Sequence, residues 1–218
     1  MSLAFTKEID KDTYIGLWKL EESAEELKGR LILDEEEESY FHRLEQTKRN
    51  VHWLSSRVLL RHLINQPGFI KLENDENGKP FLVNCDYEIS LSHSHNYAAA
   101  IVSPFPAGVD IEKIRPKIHK IKWRFMNNEE LSNTESATDR ELLIYWSAKE
   151  TLFKLYGKKP LSIMENIFIK PFSPKNEGTV DGYFVNTHSY PEDCFRVHYF
   201  EYDGYIMTYL TEKDKVVS

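Results

Sequence analysis

The sequence predicts an α+β fold, on three observations. Apolar residues recur at helical spacing in two long stretches, 51–65 and 138–155; short strand-like runs occur in both halves of the chain; and those runs neighbour one another in pairs.

Taken in order, residues 14–20, YIGLWKL, carry the apolar and aromatic side chains of a first strand. Asp34-x-x-Glu37 then caps a helix running to about Thr47, and the acidic run from Asp34 to Glu38 suits the positive end of its dipole. A second helix spans about Val51 to Asn65, with Val51, Leu54, Val58, Leu59 and Leu63 as its buried stripe and Pro67-Gly68 as its stop. Asn77-Gly78-Lys79-Pro80 is a turn signal, followed by strand candidates at 88–91 and 97–102 and a break at Pro104 and Pro106. Residues 108–114, GVDIEKI, read as a short strand with Val109 and Ile111 on one face and Asp110 and Glu112 on the other. A helical segment at about 118–131 precedes a stronger helix that Thr138 caps with Glu141 and that ends near Gly157. Strand candidates at 166–170, 182–186, 196–201 and 205–210 finish the chain, the last two joined by the Tyr202-Asp203-Gly204 turn.

Similar content on either side of residue 106 divides the chain into lobes at 1–105 and 106–218, without a convincing internal repeat. The two form one continuous unit of 218 residues, long enough to bury a substantial core, and a ligand site is expected in the cleft between them. A net charge of -7 argues against nucleic acid as a partner but permits a local cationic pocket. Cys85 and Cys194 read as separate reduced thiols. No signal-peptide pattern and no apolar run of membrane-spanning length is present, so a cytoplasmic protein without a membrane partner is expected.

Asp110 and Glu112 stand one strand step apart, about 6.6 Å between Cα atoms, which lets two side chains close around one ion. Oxygen-only ligands favour magnesium, manganese or calcium, and magnesium matches a phosphate-bearing substrate; the same pair also reads as the wet face of an edge strand. In the helix WSAKETLFKLYG, residues 146–157, Glu150 and Lys154 are four apart. They are either an exposed pair worth roughly 0.2–0.5 kcal/mol or, respectively, a third metal carboxylate and a phosphate-neutralising ammonium. Arg57 in the second helix, Lys79 in the Gly-Lys-Pro turn, and Ser92 and His93 in SLSHS suit a ligand with several phosphates, although no glycine-rich phosphate loop is present.

The chain resembles the Sfp-type 4'-phosphopantetheinyl transferases over roughly residues 50 to 160. The resemblance rests on Gly78-Lys79-Pro80, the segment from Ile89 to Ser94, GVDIE at 108–112, Arg124-Phe125 with Glu129, and WSAKE at 146–150 with Phe153-Lys154. It implies two pseudo-symmetric lobes, each with helices on a small, mostly antiparallel sheet, and coenzyme A and Mg2+ bound between them. The implied activity is that of a holo-acyl-carrier-protein synthase, which moves the phosphopantetheine arm to a serine of an apo acyl or peptidyl carrier protein. Asp110, Glu112 and Glu150 would hold the metal, and Glu150 would also be the base for the serine. His93 would contact the 3'-phosphate, Lys79 and Arg57 the nucleotide phosphates, Lys154 the pyrophosphate, and Lys149 would assist the diphosphate's charge. Such an enzyme is expected to act as a monomer. His52 and Trp53 depart from the pattern where relatives often carry nucleotide-contacting basic or hydroxyl residues, and Lys48 and Arg49 do not complete a basic cluster. Competing readings are a non-catalytic coenzyme A or carrier-binding module and a magnesium-dependent phosphohydrolase.

Overall fold

A computed structural model describes residues 2–44, 49–65, 69–188 and 193–216. The chain opens with two antiparallel strands, β1 (Leu3–Asp10) and β2 (Thr13–Lys19), then a short helix α1 (Ala24–Lys28) with a complete Ser23–Glu26 capping box. Helix α2 (Glu35–Leu44) starts where Asp34 Oδ1 accepts the Glu37 backbone N–H at 2.9 Å, and α3 (Arg49–Ile64) follows. Lys48 and the expected stop at Pro67-Gly68 lie outside the described residues, as does the side chain of Arg49. The turn at 75–79 becomes a hairpin between β3 (Leu72–Asn74) and β4 (Pro80–Leu82), with Gly78 at φ 88°, a value that favours glycine.

Strands β5 (Glu88–Ser94) and β6 (Tyr97–Ser103) complete a four-stranded antiparallel sheet of order β1-β2-β6-β5. After Pro104 and Pro106 the chain enters β7 (Ala107–Lys113), which belongs to a second sheet. The expected helical segment at 118–131 is broken into α4 (Ile118–Ile121), a 3-10 turn at Lys122–Arg124, and α5 (Asn128–Asn133), because Asn127 caps a new helix with Glu130. Helix α6 (Asp139–Tyr156) is capped by Thr138 and closed by Gly157 at φ 66°. Then come α7 (Ile163–Asn166), β8 (Ile167–Ile169), β9 (Glu177–Phe184), β10 (Cys194–Tyr202), β11 (Tyr205–Thr211) and β12 (Lys215–Val216). The second sheet has the order β7-β11-β10-β9-β8, with β12 on β10.

The architecture is α+β, with a long helix on the outer face of each sheet. The inner faces meet through Ile15, Leu17, Ala99 and Ile101 from the first sheet and Val109, Ile111 and Met207 from the second, all without solvent exposure. Helix α3 closes the far side of the first sheet with Leu54, Val58 and Leu59. Helix α6 closes the second with Leu142, Leu152 and Leu155 and is buried on most of its circumference, as a central helix must be. It approaches β7 closely because Gly108 has no Cβ; one built there would collide with the Thr151 carbonyl oxygen. Among the described residues no helix is long and apolar enough to cross a membrane.

Candidate active site

Strands β5 and β7 lie side by side without a regular ladder, and the serines of β5 bridge the gap. Val109 N donates to Ser90 Oγ at 3.1 Å and Lys113 N to Ser94 Oγ at 3.3 Å. Ser92 Oγ donates to Asp110 Oδ1 at 2.7 Å, and Ser94 Oγ to Glu112 Oε2 at 2.8 Å. Alternation along two adjacent strands therefore turns Ser92 and Ser94 onto the two carboxylates. Helix α6 supplies the rest: Ser147 Oγ donates to Asp110 Oδ2 at 2.8 Å, Trp146 Nε1 to Glu112 Oε1 at 3.3 Å, and Lys154 Nζ to Asp110 Oδ1 at 2.8 Å. Behind them Ser147 and Thr151 share a hydroxyl network with Thr208 of β11, at 2.9 and 2.6 Å, which fixes the helix against the sheet.

A cleft of about 1250 Å³ opens over this arrangement. Asp110, Glu150, Lys154, Arg57, Ser92 and His93 all line it, so it gathers six of the nine residues singled out in the sequence. Glu112 is not in its wall. Lys79 lies beside Gly157 and lines an adjoining cavity of about 250 Å³, joined to the main cleft through Pro80, Leu91 and Lys154. Arg57 is less available than its sequence position suggests: its Nε is 3.1 Å from Glu37 Oε1 and its guanidinium lies over the Trp53 ring at 3.6 Å.

Lys149 is the clear correction. Its side chain is fully buried, with Nζ 2.6 Å from Glu130 Oε2 and 2.7 Å from the Phe125 carbonyl oxygen, on the side of α6 away from the cleft. Glu130 also accepts the Ile169 N–H at 3.0 Å. A helical step of about 100° separates Lys149 from Glu150, so a helix that aims one into the cleft aims its neighbour elsewhere. Sequence reading missed Glu130 and the serine and threonine contacts; the alternation of Ser90, Ser92 and Ser94 was the available signal.

Burial raises the Glu112 carboxyl above its ordinary range, with the Asp110 charge adding to the effect. Burial also lifts Glu150, to about 7, again with a contribution from Asp110 that Lys154 partly offsets. Mutually repelling carboxylates with oxygen-only donors are the chemistry that a hard divalent cation relieves. The side chains are nonetheless turned to the protein's own donors, and among the described residues no three His, Cys, Asp or Glu side chains converge as a metal cage.

Residues 106–210, from just before β7 to β11, match the profile of the 4'-phosphopantetheinyl transferase superfamily. The chain is 32% identical over 115 residues to the 4'-phosphopantetheinyl transferase psf-1 of Bacillus pumilus, covering 48% of this chain and 49% of that protein. It is 29% identical over 135 residues to the 4'-phosphopantetheinyl transferase gsp of Aneurinibacillus migulanus, covering 58% and 56%. With the 4'-phosphopantetheinyl transferase Sfp of Bacillus subtilis (strain 168) it shares 31% identity over 111 residues, covering 46% and 50%. The chain spans about half the length of these relatives. The matched region carries Asp110, Glu112, Glu150 and Lys154, and it is this region that is similar to the 4'-phosphopantetheinyl transferase superfamily.

Proposed function

We propose that the protein is an Sfp-type 4'-phosphopantetheinyl transferase, a holo-acyl-carrier-protein synthase that moves the phosphopantetheine arm of coenzyme A onto a serine of an apo acyl or peptidyl carrier protein. The observation that carries this reading is the meeting of Asp110, Glu150 and Lys154 in one large cleft that Ser92 and His93 also line. The functional division is into lobes 1–105 and 106–218, with the donor held between them. The protein is expected to act as a monomer.

In this mechanism the serine Oγ attacks the β-phosphorus, a new P–O bond forms, and the bridging P–O bond breaks so that 3',5'-adenosine diphosphate departs with the electron pair. Glu150 takes the serine proton; a carboxyl titrating near 7 is matched to that task at neutral pH. Lys154 uses two of its three ammonium protons on Asp110 and the Val109 carbonyl, which leaves one to meet the charge on the pyrophosphate. Asp110 holds Lys154 in place, and Ser92 and Ser147 hold Asp110. His93 contacts the 3'-phosphate, with Lys79 and Arg57 nearby for the nucleotide phosphates. Asp110, Glu112 and Glu150 would hold Mg2+, which when bound supplies charge stabilisation at the phosphoryl oxygens.

Release of 3',5'-adenosine diphosphate that requires both coenzyme A and an apo carrier protein is the expected result. Release without a carrier would indicate a phosphohydrolase, and coenzyme A binding without release a binding module.

A further inference from the structure

Two imidazoles share the wall of the cleft. His52 in the first turn of α3 and His93 in β5 have ring centroids 4.5 Å apart and planes inclined by 36°, and both line the cavity. His52 Nδ1 is buried and has no hydrogen-bond partner among the described residues. An orphaned buried polar atom is destabilising, so an outside partner is favoured.

Charged groups of both signs line the cavity around the pair, among them Asp34, Glu35, Glu36, Arg43, Lys71 and Glu73. In the turn after β5, His95 lies two residues beyond His93, and its Nδ1 is 2.7 Å from Arg115. From α3, Arg57 also lines the cleft and is held by Glu37 of α2, while Asp110, Glu150 and Lys154 line the same cavity from β7 and α6. Burial, aided by the nearby His93 and His95, holds His52 below the ordinary histidine range; burial with Arg115 and Lys113 does the same to His95. One imidazolium therefore opposes a second at this spacing.

We propose that His52 and His93 act as one unit, a proton-coupled grip in which both rings become protonated as they bind a phosphate group of coenzyme A. The inference rests on the reading of the cleft as a coenzyme A site and adds to it a residue, His52, and a linkage between donor binding and pH. A phosphate dianion against both rings replaces mutual repulsion with two charge-assisted hydrogen bonds. His52 is then a binding residue rather than a catalytic one, and it takes the place of the basic side chains missing upstream.

Titration calorimetry of the full chain with coenzyme A at pH 7.5, in buffers of different ionisation enthalpy, counts the protons taken up. The wild type is expected to take up more than one proton per coenzyme A. His52→Gln and the exposed His93→Gln are each expected to take up less than one, with affinity at pH 7 weakened about tenfold or more for each lost ring. The deficit should shrink toward pH 9, and the double variant should lose less than the product of the single losses. Proton uptake and affinity unchanged by His52→Gln, in protein with wild-type circular dichroism, would overturn the inference alone. Should His52→Gln fail to fold, wild-type uptake of less than one proton, or uptake unchanged by His93→Gln, overturns it instead. Failure of the wild type to bind coenzyme A would overturn the functional reading and the inference together.

Discussion

Lys154 Nζ lies 2.8 Å from Asp110 Oδ1 and 2.9 Å from the carbonyl oxygen of Val109, so the last turns of α6 are tied to the middle of β7 at the floor of the cleft. Asp110 is 3% exposed and keeps two serine hydroxyls when the ammonium is removed. Lys154→Met is expected to destabilise the fold by about 1–3 kcal/mol. The figure is below that for a fully buried pair because the Lys154 side chain is 24% exposed. Urea unfolding checks this; an unchanged midpoint contradicts it.

Glu150 gives a pH-dependent prediction. The folded protein holds its proton more tightly than the unfolded chain, so ionising it opposes folding. That penalty is absent below the ordinary carboxylate value of 4.5, grows as pH rises and is complete above about 7. In chelator-treated protein Glu150→Gln should therefore melt at least about 2 °C higher than the wild type at pH 8, and the two curves should converge below pH 4.5. Turnover should fall at least about 100-fold, the range for loss of a general base. Thermal melts across pH, with steady-state kinetics, test both parts; a variant no more stable at pH 8 removes Glu150 from its half-buried, charge-crowded setting.

Lys149 should behave in the opposite way. Its loss strands Glu130, itself 3% exposed, without a counter-charge, so Lys149→Ala should cost about 3–5 kcal/mol. Activity should follow the folded fraction. A Lys149→Ala protein with wild-type stability but greatly reduced kcat would restore Lys149 to the chemistry.

Gly108→Ala tests the approach of α6 to β7. The added methyl meets the Thr151 backbone, which cannot rotate away, and overpacking of this kind costs about 1–3 kcal/mol. The helix has to shift away from the strand, separating Glu150 and Lys154 from Asp110, so kcat should fall in protein that remains folded. Unfolding curves and kinetics at saturating substrate check the pair of effects.

The α+β class, α2, α3, α6 and the strands β5, β6, β7, β10 and β11 were legible because apolar period, caps and turn residues agreed with one another. Strand β1, LAFTKEID, escaped notice because it is an edge strand whose middle residues Lys7 and Glu8 face solvent. Helix α1 carries a clear Ser23-x-x-Glu26 signature but only five residues, too short for an apolar stripe. Strands β3 and β4 are three residues each, visible only as the turn between them. In the site, Asp110, Glu150, Lys154, Ser92 and His93 are brought to one cleft. Lys149 was misread because adjacency in sequence within WSAKE does not make two helical side chains share a face. The ring contact of His52 with His93 joins residues 41 positions apart, on a helix and a strand, and no local pattern announces such a pair.

The most direct test of the central claim is the intact mass of an apo carrier protein after incubation with this protein, coenzyme A and Mg2+, run beside Glu150→Gln and a carrier whose acceptor serine is replaced by alanine. The wild type is expected to add the mass of one phosphopantetheine arm to the apo carrier. No addition to the serine-less carrier is expected, and addition at least about 100-fold more slowly with Glu150→Gln. An unmodified carrier across a panel of acyl and peptidyl carrier proteins, in the presence of folded enzyme that binds coenzyme A, would contradict the central claim.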